Sequence, residues 1–193
     1  MDDHFLWEQF LKGDDEAYAE LYEKYIDTLF AYGIRFTPDR ELVKDCIQDV
    51  FVKIYRHRKS HKKIDNVKLY LFVALKNILF DYFKGTIAQL KNQQTGEEPV
   101  FDVEDSVEER MIANEQLQEQ TQMMKRMMDT LSSRQKEVIY YRYAEGMNLD
   151  MICKLMQMNY QSVQNLLQRA LKKLRTTITD KNTVLQFYIQ KVK

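Results

Sequence analysis

The 193-residue sequence predicts an all-α protein, with two small helical domains joined by an acidic linker, the second a helix-turn-helix. Three observations carry that prediction. Only 5 Gly and 2 Pro are present, too few for the turns of a β-rich fold. Apolar residues recur at three- and four-residue spacing in one stretch after another, as buried helix faces do. The charges fall in blocks: residues 1–52 hold 5 Lys/Arg against 13 Asp/Glu, 53–91 hold 10 against 2, 92–119 hold 1 against 9, and 120–193 hold 13 against 5. Beneath a net charge of zero, two basic blocks alternate with two acidic ones, the pattern of two polyanion-facing surfaces on a chain that otherwise avoids polyanions.

The first periodic stretch is Tyr18, Leu21, Tyr22, Tyr25, Ile26, Leu29 and Phe30, with Asp14 as its cap. "TPDR" interrupts it, because Pro38 disfavours helix in Thr37 and suits the start of the next element. Leu42, Val43, Cys46, Ile47, Val50, Phe51 and Ile54 then mark a second helix, and "HRKSHKKIDN" reads as a basic loop. A third, unusually apolar helix covers about Val67 to Lys84. Residues 1–86 are therefore read as one domain and 87–110, rich in polar and acidic residues, as the linker.

The second domain, 111–178, begins where periodicity resumes at Met111 and runs through "MMKRMM", whose methionines suit core packing. Ser132 and Gln135 form a capping box, and the helix they open is expected to end at Gly146. "LDMICKLM" is a short helix, "QMN" a turn, and "NYQSVQNLLQRALKKLR" a long helix. One face of that last helix is Val163, Leu166, Leu167, Ala170, Leu171 and Leu174; the other is Gln161, Gln164, Asn165, Gln168, Arg169 and Lys172. No acid occurs from Met151 to Thr179, whereas an ordinary solvated face mixes signs. A short helix, tight turn and long amide-and-cation helix form the layout that places its second helix in the major groove. Residues 179–193 are read as a tail of unassigned role.

Other function classes find little support. Cys46 and Cys153 lie far apart without metal-ligand spacing and read as buried thiols of a reducing compartment. His57 and His61 are four apart, but five Lys/Arg between Arg56 and Lys63 repel a dication, so no metal or other cofactor is expected. The acidic start "MDDHFLWEQF" lacks the features of a signal peptide, and "LYLFVAL" is too short to span a bilayer. The expected location is cytoplasmic, without membrane insertion. No nucleophile–base pair, phosphate-binding glycine loop or catalytic carboxylate pair stands out, so neither enzymatic activity nor a small-molecule substrate is expected.

Taken together, these segments resemble the extracytoplasmic-function (ECF) sigma factors of bacterial RNA polymerase. In the second half the resemblance rests on Leu131, Ser132, Arg134, Gln135, Glu145, Gly146, Arg169, Ala170, Lys172, Lys173, Leu174 and Arg175. In the first half, "DCIQDVFVKIY" is similar to the family helix that docks on the polymerase clamp, with Asp45, Gln48, Asp49 and Phe51 at its characteristic positions. "LYLFVALKNILFDYFK" is similar to the helix that recognises the melted promoter element, with Asn77 and Asp81 matching. Two departures are Gln157, where the family often has Gly in the turn, and Gln164, where Lys or Arg is common; the second implies a different preferred sequence.

The resemblance implies core RNA polymerase and promoter DNA as partners, with an anti-sigma factor as a further one. Gln161, Ser162, Gln164, Asn165 and Gln168 would lie near the bases of the upstream element, and Arg169, Lys172 and Lys173 near its phosphates. The melted element would meet Lys62, Lys63, Asp65, Asn66, Lys76, Asn77 and Phe80, where cations attract the backbone and rings stack on unpaired bases. Most rings among Tyr55, Tyr70, Phe72, Phe80, Tyr82 and Phe83 are nevertheless expected in the core. The linker's charge imitates nucleic acid, so in the free chain it is expected to cover a basic block. Two rivals stay open on the residues alone: a helix-turn-helix regulator that is not a polymerase subunit, and an all-helical adaptor with protein partners only.

Overall fold

The computed structural model describes residues 2–60, 64–90, 101–102 and 125–177, with side-chain surroundings described for all of these except 86–90 and 177. It divides into two compact units, Met1–Val100 and Phe101–Lys193. The described elements are helical throughout.

The described residues of the first unit form four α-helices, α1 (Asp3–Lys12), α2 (Asp15–Gly33), α3 (Arg40–Arg56) and α4 (Val67–Leu90), with a short 3-10 turn at Arg58–Ser60. Helix α1 is not among the helices predicted from the sequence. Leu6, Trp7 and Phe10 sit on one face and are buried, and Gly13 ends the helix in the left-handed conformation at φ 101°. Asp14 caps α2, accepting from the Glu16 and Ala17 N–H groups, and Asp39 caps α3, accepting from Leu42 N–H. Between them the chain turns through Thr37 and Pro38, as the proline predicts.

Aromatic rings fill the centre of this unit. Tyr32 of α2 stacks on Phe72 of α4 at 4.3 Å, Trp7 meets Tyr70 edge-on, and Tyr22 meets Phe51. A polar clasp adds to this packing: Asp3 accepts from the Tyr25 hydroxyl and pairs with Lys24 at 2.6 Å. Burial pushes the Asp3 carboxyl up, but the Lys24 and Tyr25 hydrogen bonds outweigh it and hold the group below its ordinary value. Helix α4 runs to Leu90, beyond the expected end near Lys84 and into the stretch read as linker.

In the second unit, residues 125–129 are helical and bury Met127 and Met128. The box at Ser132 is formed: Ser132 Oγ accepts from Gln135 N–H, and Gln135 Oε1 accepts from Ser132 N–H. Helix α5 (Ser133–Ile139) then widens into a π-wound turn, Tyr140–Ala144, and the chain leaves through Gly146 at φ 66°. The left-handed glycine is where the sequence places it, but the α-helix has already given way to the wider turn. Helix α6 (Leu149–Met156), capped by Asn148, and helix α7 (Tyr160–Thr177) follow.

Part of the stretch read as linker packs with the second unit. Phe101, inside the 87–110 stretch, is 1% exposed against Tyr140 and Tyr141. Its N–H donates to Ser133 Oγ at 2.8 Å, its carbonyl accepts from the same hydroxyl at 3.2 Å, and Asp102 pairs with Lys136 at 2.7 Å. An acidic, polar composition gave no sign that one phenylalanine in this stretch belongs to a core.

Candidate nucleic-acid and polymerase interfaces

Helix α7 starts because Asn159 caps it, its Oδ1 accepting from Ser162 N–H at 2.8 Å. Val163, Ala170 and Leu174 fix the rotation of the helix by being buried, while Leu166, Leu167 and Leu171 are half-buried. Gln161, Asn165, Gln168, Arg169, Lys172 and Lys173 are consequently exposed, and Ser162 and Gln164 lie half-buried at the edge. Gln161 Nε2 donates to Asn165 Oδ1 at 3.0 Å, one turn apart on the same face. Lys173 Nζ donates to the Thr130 carbonyl at 3.3 Å, so part of its reach is spent on its own unit. Tyr160, which the sequence reading left out, is 51% exposed in the first turn of α7. An aromatic residue just after a helix cap, on a helix with a polar face, was the available signal.

The turn between α6 and α7 is tight despite the missing glycine. Gln157 takes the left-handed conformation itself, at φ 52° and ψ 44°, with its N–H donating to the Cys153 carbonyl. Cys153 is half-buried rather than fully buried. Burial and then the Asp150 carboxylate push its thiol up.

In the first unit, α3 turns Val43, Cys46, Ile47, Val50, Phe51 and Ile54 inward and Asp45, Gln48 and Asp49 outward. These three polar residues share one exposed face. Phe51 does not join them: it is 3% exposed and packed between Tyr22 and Tyr18, so the expected docking role for its side chain is corrected to a core role. Cys46 is buried beneath the same helix. Burial, then the Asp49 and Asp45 carboxylates, push its thiol up to about 11, which leaves it a core thiol rather than a nucleophile.

The set proposed for melted DNA is divided by the structure. Asp65, Asn66 and Asn77 are exposed, and Phe80 is half-buried with its edge against Phe36. Asn66 Oδ1 already accepts from Leu69 N–H at 2.7 Å as the cap of α4. Lys76 is corrected outright: it is 7% exposed, with Nζ over the rings of Phe36 and Phe80 at 5.9 and 5.5 Å. Helix α4 is apolar on nearly every face, so sequence spacing could not tell that Lys76 points inward. Lys62, Lys63 and His61 lie outside the described residues. Of the rings, Phe72 is fully buried, Tyr70, Phe80 and Phe83 are half-buried, and Tyr55 and Tyr82 are exposed.

Among the described residues no group of His, Cys, Asp or Glu is arranged to hold a metal ion, and no helix is long and apolar enough to cross a membrane. The arrangement offers an amide-and-cation helix face on one unit and an acidic helix face on the other.

Comparison with known proteins gives these faces a context. Residues 21–86 match the family described as Sigma-70 region 2, and residues 121–174 match Sigma-70, region 4. The ECF RNA polymerase sigma factor SigX of Bacillus subtilis (strain 168) is 20% identical over 168 residues, covering 83% of each chain. SigM, an ECF RNA polymerase sigma factor of the same organism, is 29% identical over 65 residues; that match spans 34% of this chain and 39% of SigM. Solved structures share the fold, two complexes among them. RpoE, crystallised with the anti-sigma factor NepR from Bartonella quintana, aligns with a TM-score of 0.60 at 18% identity, over 84% of this chain and 98% of that one. CnrH, solved with the cytosolic domain of CnrY, aligns at 0.56 and 17%, over 90% and 95%.

Proposed function

Because the chain belongs to the ECF sigma factors of the sigma-70 family, we propose that it binds core RNA polymerase and directs it to specific promoters. In this reading residues 1–86 dock on the polymerase and help to melt the downstream element, 111–178 read the upstream duplex element, and 87–110 connect them. The work is cytoplasmic, and the chain carries no catalytic activity of its own. An anti-sigma factor is a further partner of the same reading, as NepR is in the complex with RpoE.

The observation that carries this proposal is the exposed face of α7, acid-free and lined by Gln161, Asn165, Gln168, Arg169 and Lys172, in a chain that also presents the acidic face of α3. Amides pair with adenine and cations with guanine or phosphate, each good bidentate contact discriminating by about 1–3 kcal/mol. Arg169 and Lys172 supply the salt-dependent attraction to phosphates. Asp45 and Asp49, four residues apart on α3, attract cations of the polymerase, with Gln48 between them. Phe51 contributes by holding α3 against α2.

Co-purification with bacterial core polymerase tests the proposal, comparing the full chain with an Asp45→Lys, Asp49→Lys double variant. The unaltered chain is expected to associate stably. The variant sets like charges against each other, which costs several kcal/mol, and should bind roughly a hundredfold or more weakly. If neither protein associates while both bind duplex DNA, the chain is an ordinary helix-turn-helix regulator. Association by both would remove the two acids from the docking face.

A further inference from the structure

We infer that Gln161 is a positioning residue: its side-chain amide holds that of Asn165 in the orientation that reads an adenine of the duplex. The inference rests on α7 being the upstream-element reader and names the base preference of that site. It starts from the 3.0 Å hydrogen bond between Gln161 Nε2 and Asn165 Oδ1 on the exposed face of α7. An unrestrained amide on a helix surface turns over readily, presenting oxygen or nitrogen to the groove. Donation from Gln161 to Oδ1 selects one of the two faces.

That selection leaves Asn165 with a second lone pair on Oδ1 and two donors on Nδ2. The major-groove edge of adenine offers an N6 donor beside the N7 acceptor, the complement of an amide held this way. Guanine presents O6 where adenine has its donor, so Oδ1 would face an acceptor. Gln161 in turn spends a donor within the protein and is less suited to pair bidentately with a base of its own. The two amides thus act as one reading unit, with the ordering cost of Asn165 met before DNA arrives.

The test selects binding sites from a randomised duplex library with holoenzyme reconstituted from core polymerase and the full chain. The unaltered protein is expected to prefer adenine at one position, and Asn165→Ala to lose that preference, roughly 5- to 150-fold, at that position alone. Gln161→Leu should weaken the preference at the same position by roughly two- to tenfold, with Gln161→Lys, which keeps a donor, retaining it. In an Asn165→Ala background, Gln161→Leu should add nothing there. A Gln161→Leu effect at a different base position, or none, overturns the positioning role while leaving α7 as the reader. Selection that is unchanged by both Asn165→Ala and Arg169→Ala overturns the reading of α7 itself. All these side chains are exposed, so thermal melting should be unchanged in each variant.

Discussion

In the first unit a net of rings ties together helices distant in sequence: Phe10 of α1 meets Tyr18 of α2, Tyr22 of α2 meets Phe51 of α3, and Tyr32 stacks on Phe72 of α4. The second unit buries an aliphatic and methionine-rich core with fewer rings, and sets beside it several local devices: the Ser132 capping box, the Asn148 and Asn159 caps, the left-handed Gln157 and one phenylalanine brought in from outside its described helices. Distributed aromatic packing tolerates the loss of one contact because neighbouring rings share the load. Where a cap, a turn or an anchor rests on one side chain, the unit is sensitive at that position. The contrast matters for function, because the second unit must hold α7 in register while leaving a whole face of it open.

The largest effect that would sharpen this contrast is expected at Phe101. Its ring fills a site against Tyr140 and Tyr141, and Asp102 beside it pairs with Lys136. Phe101→Ala removes a buried ring and should destabilise the second unit by about 3–5 kcal/mol. Hydrogen exchange resolved by residue is the suitable measurement, since it reports each unit separately. Protection should fall across α5 and α7 and stay unchanged in α2 and α3. Equal loss in both units would break the contrast, because it would mean that they unfold as one.

How far the sequence could be read follows the same division. The face of α7 was legible because Val163, Ala170 and Leu174 alternate with amides and cations at helical spacing, and burial follows that spacing. On α3 the pattern placed Asp45, Gln48 and Asp49 outward correctly, but similarity alone had put Phe51 with them, and the ring points into the core. On α4 spacing does not reveal the burial of Lys76, because an apolar helix offers no contrast between faces, and a lysine there can lie against Phe36 and Phe80. Phe101 was illegible for another reason: a single anchor has no period. Helix α1 shows the same helical spacing in Leu6, Trp7 and Phe10, all three of them buried.

A smaller effect probes the first unit where α2 and α3 approach closely at Gly33. A Cβ placed on Gly33 would lie 2.5 Å from Val43 Cγ1, and Val43 is fully buried and stiff about its first side-chain torsion. Gly33→Ala gains helix propensity but forces α2 and α3 apart, for a net loss of about 1–3 kcal/mol, seen as reduced protection in both helices. Gly85→Ala is the matched control, since a Cβ there meets nothing within 4 Å; it should stabilise α4 by up to about 1 kcal/mol. A neutral Gly33→Ala would show that the ring net is loose enough to absorb the overlap, and the contrast between the units would lose its first half.

The smallest expected effect has the opposite sign. Gln157 holds a left-handed conformation, which costs a residue with a Cβ about 1–2 kcal/mol relative to the right-handed region. Glycine avoids that cost but gives up more freedom on folding, so Gln157→Gly should stabilise the second unit by only about 0.5–1 kcal/mol. Thermal melting of the full chain, with hydrogen exchange assigning the gain to α6 and α7, measures it. The sign is informative because Gln157 is exposed, with its N–H bonded to the Cys153 carbonyl, a bond that glycine preserves. A gain would show that the turn is formed against local strain and is held by the burial of Ile152, Leu155 and Met156 on one side and Val163 on the other. A loss would mean that the glutamine side chain itself supports the turn, adding one more local device to the unit that already depends on them.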